Sequence, residues 1–158
     1  MTDKATFGAG CFWGVEARFR ELDGVTEAQV GYSGGHVDKP TYQQVCTDQT
    51  GHVEVVEVQF DAGRISYETL VREFFKLHDP TQVDRQGPDV GRQYRSVIFV
   101  HDDEQRAAAE RVRAELDQGG TYRRPIATAV EPAATFWRAE EYHQQYLARR
   151  GGSCSIGG

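Results

Sequence analysis

Residues 52–60, HVEVVEVQF, alternate along the chain with the two-residue period of a β-strand. Residues 66–79, SYETLVREFFKLHD, switch to the helical period. Leu70, Phe74 and Leu77 make one apolar stripe there, and Ser66 stands where an N-cap is expected. Helical spacing recurs at Val15, Phe19 and Leu22, in a segment that stops near Gly24. It recurs again at Ala108, Val112 and Leu116, within residues 102–120, which open on acids and close on glycines. Further strands are predicted over 4–10, 25–35, 95–100 and 126–131, the first two running into glycine turns. Residues 35–45 read as a loop, because Pro40 argues against regular structure early in the segment. Residues 80–94, rich in Pro, Gly and Asp, read as another loop, and 138–150 as a last helix.

Strands interleave with helices, but the strands are few and the loops long. The pattern predicts an α+β fold: a two-layer sandwich of one mixed β-sheet flanked by helices. No repeat or linker divides the chain, so residues 1–158 read as a single domain with a flexible, coiled C-terminal tail over about 150–158 that carries GGSCSIGG.

Two places break the pattern. On the strand at 52–60, Glu54 shares its face with Val56, Val58 and Phe60. A carboxyl on an apolar face is desolvated, which favours its neutral form and suits it to donate a proton. The alternative is a strand-end acid with its head in water. Glu57, on the other face, is expected to be an ordinary surface acid. The second place is GAGCFWGVEARF, residues 8–19, where Cys11 precedes two aromatics and a helical pattern. A thiol at a helix start lies in the field of unpaired N–H groups, which favours the thiolate. Cys11 can thus be a nucleophile or an inert packing residue, and Phe12 and Trp13 can be a substrate wall or plain core.

Composition narrows the classes of function. The net charge of −6 gives no reason to expect a nucleic-acid partner. No apolar run approaches the roughly 20 residues of a membrane helix, and MTDKATFGAG lacks the apolar core of a signal peptide. A cytoplasmic protein with no membrane partner is expected. The three cysteines, Cys11, Cys46 and Cys154, match neither a secreted disulfide framework nor a zinc pattern. His36, His52, His78, His101 and His143 show no metal-ligand spacing, so no metal is expected.

The blocks GCFWG, GYSGG, PTYQQVCTDQTGHVEVVEV, HDPTQ, RQGPDVGRQYRS and AEEYHQQYL, in that order and spanning nearly the whole chain, resemble the peptide-methionine (S)-S-oxide reductases, the A-type methionine sulfoxide reductases. The resemblance implies that Cys11 is the nucleophile and that Phe12 and Trp13 hold the substrate's S-methyl group. It implies Glu54 as the acid, and Tyr42 and Tyr94 as donors to the sulfoxide oxygen. It sets Asp89 as a polar residue ordering substrate and water, and Cys154 as the resolving cysteine. It further implies methionine sulfoxide-containing proteins and peptides as substrates, thioredoxin or a similar dithiol as reductant, and no cofactor. Cys46 falls where cysteine is common in the family without an essential role. Asp84 and Pro88 stand where the family pattern has asparagine, and no cysteine follows Cys154, so a second tail disulfide is not expected. A thiol peroxidase would also use Cys11 and Cys154, but it leaves Glu54, Tyr42 and Tyr94 without a task. A thiol-based metal- or peptide-binding module is the non-enzymatic alternative.

Overall fold

The computed structural model describes residues 2–150. Six strands form one mixed sheet: β1 (Thr2–Ala9), β2 (Val25–Ser33), β3 (Val53–Asp61), β6 (Ser96–Val100), β7 (Ala129–Pro132) and β8 (Trp137–Arg138). Their spatial order is β7-β6-β1-β3-β2-β8. All neighbours are antiparallel except β6 and β7. That parallel pair needs a crossover, and α4 (Asp103–Gln118) supplies it. β4 (Arg85–Gln86) and β5 (Asp89–Val90) make a separate small ribbon inside the long 80–94 loop.

Helices α1 (Phe12–Arg20), α3 (Tyr67–Lys76) and α4 bury their apolar stripes against one face of the sheet. Phe12, Val15 and Phe19 of α1 and Leu70, Val71 and Phe74 of α3 join Phe7, Val30, Val56, Val58 and Phe60 in the main core. The opposite face is covered by a smaller cluster of Val53, Val55, Val97 and Phe99. The α+β sandwich expected from the sequence is therefore the fold observed. Ser66 caps α3 as its position predicts, its hydroxyl accepting from Thr69 N at 3.1 Å. On α4 the buried positions are Gln105, Ala109 and Val112, with Ala108 one step aside.

Four expectations need correction. The 35–45 segment is not all loop: α2 (Tyr42–Cys46) forms there, started by a reciprocal capping box between Thr41 and Gln44. The strand expected at 126–131 starts later, at Ala129, and runs to Pro132. Glu57 is only 14% exposed and lies 4.0 Å from Lys4, not free on the surface. The single helix expected over 138–150 is instead β8, a 3₁₀ turn (Glu141–His143) and the short α5 (Tyr146–Arg150). Tertiary bonds override helical propensity there. The Gln144 side chain accepts from Val30 N at 3.0 Å and donates to Val30 O at 2.9 Å, filling the place of a strand partner. Gln145 takes φ +53, and its N–H donates to buried Glu16. Among the described residues no helix is long and apolar enough to cross a membrane.

Candidate active site

β1 delivers Cys11. It ends at Ala9, and Gly10 turns the chain into α1 with φ +97, a conformation open to glycine and strained for other residues. A Cβ on Gly10 would also meet Gln86 at 2.9 Å, so the turn packs against the ribbon loop. Cys11 is the N-cap of α1 and is half-buried. Its sulfur therefore lies at the end of the helix where N–H groups point outward, the environment that favours a thiolate.

β3 delivers Glu54 to the same place. The β1–β3 ladder closes at the Phe7–Val56 rung, two residues before Ala9 on β1 and two after Glu54 on β3. On the other side Glu54 pairs with Tyr32 of β2. Its carboxyl accepts the backbone N–H of Phe12 at 3.2 Å, taking one of the orphan donors of α1's first turn. Glu54 is 2% exposed, on the face it shares with Val56, Val58 and Phe60. The strand-alternation expectation is met, and the strand-end acid in water is excluded.

Two phenols converge on this pair. Tyr42 stands on α2, and Tyr94 ends a 3₁₀ turn (Arg92–Tyr94) just before β6. Burial first, then the proximity of Glu54 and a hydrogen bond with Cys46, pushes the Tyr42 hydroxyl above its ordinary range. Burial, then Glu54, Cys46, Asp89 and Cys11, does the same to Tyr94. Both hydroxyls therefore stay protonated and can donate. Asp89, on β5, is half-buried, and burial raises its carboxyl above the usual range. Asp84 takes φ +52, a region that Asp and Asn both tolerate, and its carbonyl accepts Gly91 N–H at 2.9 Å.

An aromatic wall stands beside the sulfur. Phe12 lies 6.5 Å from Trp13, 6.5 Å from Tyr42 and 5.3 Å from His143, ring centre to ring centre. Tyr146 stacks on Trp13 at 3.9 Å. The Trp13 indole donates to His143 Nδ1 at 2.9 Å, which fixes the plane of its ring.

The structure thus gathers Cys11, Phe12, Trp13, Tyr42, Glu54, Asp89 and Tyr94 from five elements: α1 with its cap, α2, β3, β5 and the 3₁₀ turn before β6. Cys154 lies outside the described residues. Cys46 is exposed on α2, near Tyr42. Sequence reasoning missed Glu140, whose carboxylate reaches both Tyr32 and Tyr42. It also missed the contact of His143 with Trp13.

A sulfur at a helix start, faced by neutral O–H donors and a buried carboxyl, can attack an electrophile whose oxygen gains charge as the bond forms. A reductase with a thiol, two phenols and a buried carboxyl gathered at one site is the class to which this fold and these groups point. The peptide methionine sulfoxide reductase family model matches residues 3–156. The peptide methionine sulfoxide reductase MsrA of Methanoculleus marisnigri is 62% identical over 150 residues, covering 95% of this chain and 92% of that protein. The one from Acidobacterium capsulatum is 60% identical, covering 97% of this chain and 99% of its own. Among solved structures, reduced Mxr1 from Saccharomyces cerevisiae superposes with a TM-score of 0.91 at 34% identity, over 98% of this chain and 89% of that one. Mxr1 in complex with Trx2 also matches, with a TM-score of 0.66 at 26% identity, over 98% of this chain and 87% of that one. The chain belongs to the peptide methionine sulfoxide reductase family and is an oxidoreductase that reduces methionine sulfoxide.

Proposed function

We propose that this chain is a cytoplasmic, single-domain repair enzyme that reduces the S epimer of methionine sulfoxide, free or in proteins, through Cys11. The Cys11 thiolate attacks the sulfoxide sulfur. As the S–O bond weakens, charge grows on the oxygen, where the hydroxyls of Tyr42 and Tyr94 donate and Glu54 supplies a proton. Donors aimed at charge that develops only in the transition state lower the barrier without tightening the ground state. Phe12 and Trp13 hold the S-methyl group, and Asp89 orders substrate and water.

The new sulfur–sulfur bond then breaks as the protonated oxygen moves from the substrate sulfur to the Cys11 sulfur, so methionine leaves and Cys11 is left as a sulfenic acid. The Cys154 thiol condenses with it, forming the S–S bond and releasing water. A dithiol such as thioredoxin then reduces the bridge by thiol exchange, returning both cysteines to thiols. Net, one sulfoxide and one dithiol give methionine, a disulfide and water. The complex of the yeast relative Mxr1 with Trx2 supports thioredoxin as the reductant.

The observation that carries this reading is the bond from Phe12 N–H to Glu54, which sets an acid beside the start of the helix that Cys11 caps. Intact-mass measurement of the reduced protein after one equivalent of a methionine sulfoxide peptide tests it. The expected result is the loss of two hydrogens, mapped to a Cys11–Cys154 bridge. Methionine formed with no change at Cys11 would sink the reading.

A further inference from the structure

Glu140 lies in the segment between β8 and the 3₁₀ turn, far from Cys11 in sequence. Its Oε1 accepts the Tyr32 hydroxyl at 2.9 Å, and its Oε2 accepts the backbone N–H of Tyr42 at 2.9 Å. Both partners bear on the site. Tyr42 is the first residue of α2, and Tyr32 is fully buried on the rung that pairs it with Glu54.

α2 has five residues, so it holds few internal hydrogen bonds and cannot fix its own place. Its capping box satisfies Gln44 N and Thr41 N. The N–H of Tyr42 is left for an outside acceptor, and Glu140 provides it. Burial opposes charge on Glu140, but the bonds from the Tyr42 N–H, its own N–H and the Tyr32 hydroxyl outweigh burial and hold the carboxyl below its ordinary range. An ionised carboxylate is the stronger acceptor for two donors at once.

We propose that Glu140 is a positioning residue for the reduction: its two carboxylate oxygens tie α2 to the Tyr32–Glu54 rung and so hold the Tyr42 hydroxyl where the sulfoxide oxygen lies. The inference rests on the proposed role of Tyr42 as a donor. Small misplacements of a catalytic group cost rate steeply, on the order of 100-fold for about 1 Å.

The test is a double-mutant cycle read as the single-turnover rate on a methionine sulfoxide peptide. Glu140→Ala is expected to slow the reaction about 10-fold or more. In a Tyr42→Phe background the same change is expected to cost within about twofold, since the hydroxyl it positions is gone. Glu140→Gln is expected to restore most of the rate. Its amide oxygen can accept the Tyr42 N–H while its NH₂ faces the Tyr32 oxygen. If the alanine variant fails to fold, Glu140→Asp, with an arm too short for both donors, takes its place in the cycle. An equal loss in both backgrounds, a wild-type rate for Glu140→Ala, or a glutamine variant as slow as alanine would each overturn the inference while leaving Tyr42 as donor. A Tyr42→Phe rate equal to wild type would instead overturn the donor role, and this inference with it.

Discussion

Glu54→Gln isolates the acid chemistry from the packing. The glutamine keeps an oxygen to accept the Phe12 N–H, now 3.2 Å from Oε1, and nearly the same volume at a 2% exposed site. Folding should hardly change. Glu54→Ala differs: it leaves that buried N–H without its acceptor, which costs about 1–3 kcal/mol, and opens a cavity besides. What glutamine removes is the transferable proton. Losing one donor aimed at developing charge typically costs about 3–4 kcal/mol, or roughly 100- to 1,000-fold. An amide N–H can still donate a hydrogen bond to the oxygen, so the lower end, about 100-fold, is expected. Rapid-quench single turnover of a sulfoxide peptide measures the rate, with Cys11 alkylation by iodoacetamide followed in parallel. The expected outcome is slowed reduction with alkylation unchanged. An unchanged reduction rate would refute the reasoning. So would an equal loss in both assays, since Glu54 would then act on the thiol and not on the substrate oxygen.

Tyr42→Phe and Tyr94→Phe should each lower single-turnover rates by about 10- to 100-fold with little loss of stability. Since burial raises both phenols, no tyrosine ionisation should appear in the wild-type pH–rate profile below about pH 10. His78 bears on stability. It is buried between Phe74 O and Ser96 Oγ, each at 2.8 Å, and desolvation lowers its pKa to about 4. The unfolded chain takes up this proton near the ordinary value of about 6.5, so His78's stabilising share is full above that pH and fades as pH falls towards 4. Between pH 7 and 5 the loss from this group is about 2 kcal/mol, and denaturant titration should show that difference shrink in His78→Asn.

Legibility in the sequence followed the range of the forces involved. Placing Glu54 on the buried face needed only strand alternation, and placing Cys11 at a helix start only a glycine turn before a helical stripe. Both are local patterns. The capping box that starts α2 was also local, in Thr41 and Gln44, but Pro40 just before it read as the stronger signal. Glu140 could not be read at all. Its partners Tyr42 and Tyr32 stand 98 and 108 residues earlier, and only the closed sheet brings them near. The helix expected over 138–150 failed for the same reason: Gln144 bonds a strand 114 residues away in preference to its own turn.

The central claim is that oxygen leaves the substrate onto Cys11. The direct measurement uses Cys154→Ser, one equivalent of a methionine sulfoxide peptide, a sulfenic-acid trap and peptide mapping. The account predicts one methionine per protein and one trapped sulfenic acid on the peptide that carries Cys11. Methionine released with Cys11 unmodified, or with the adduct on Cys46, would contradict it.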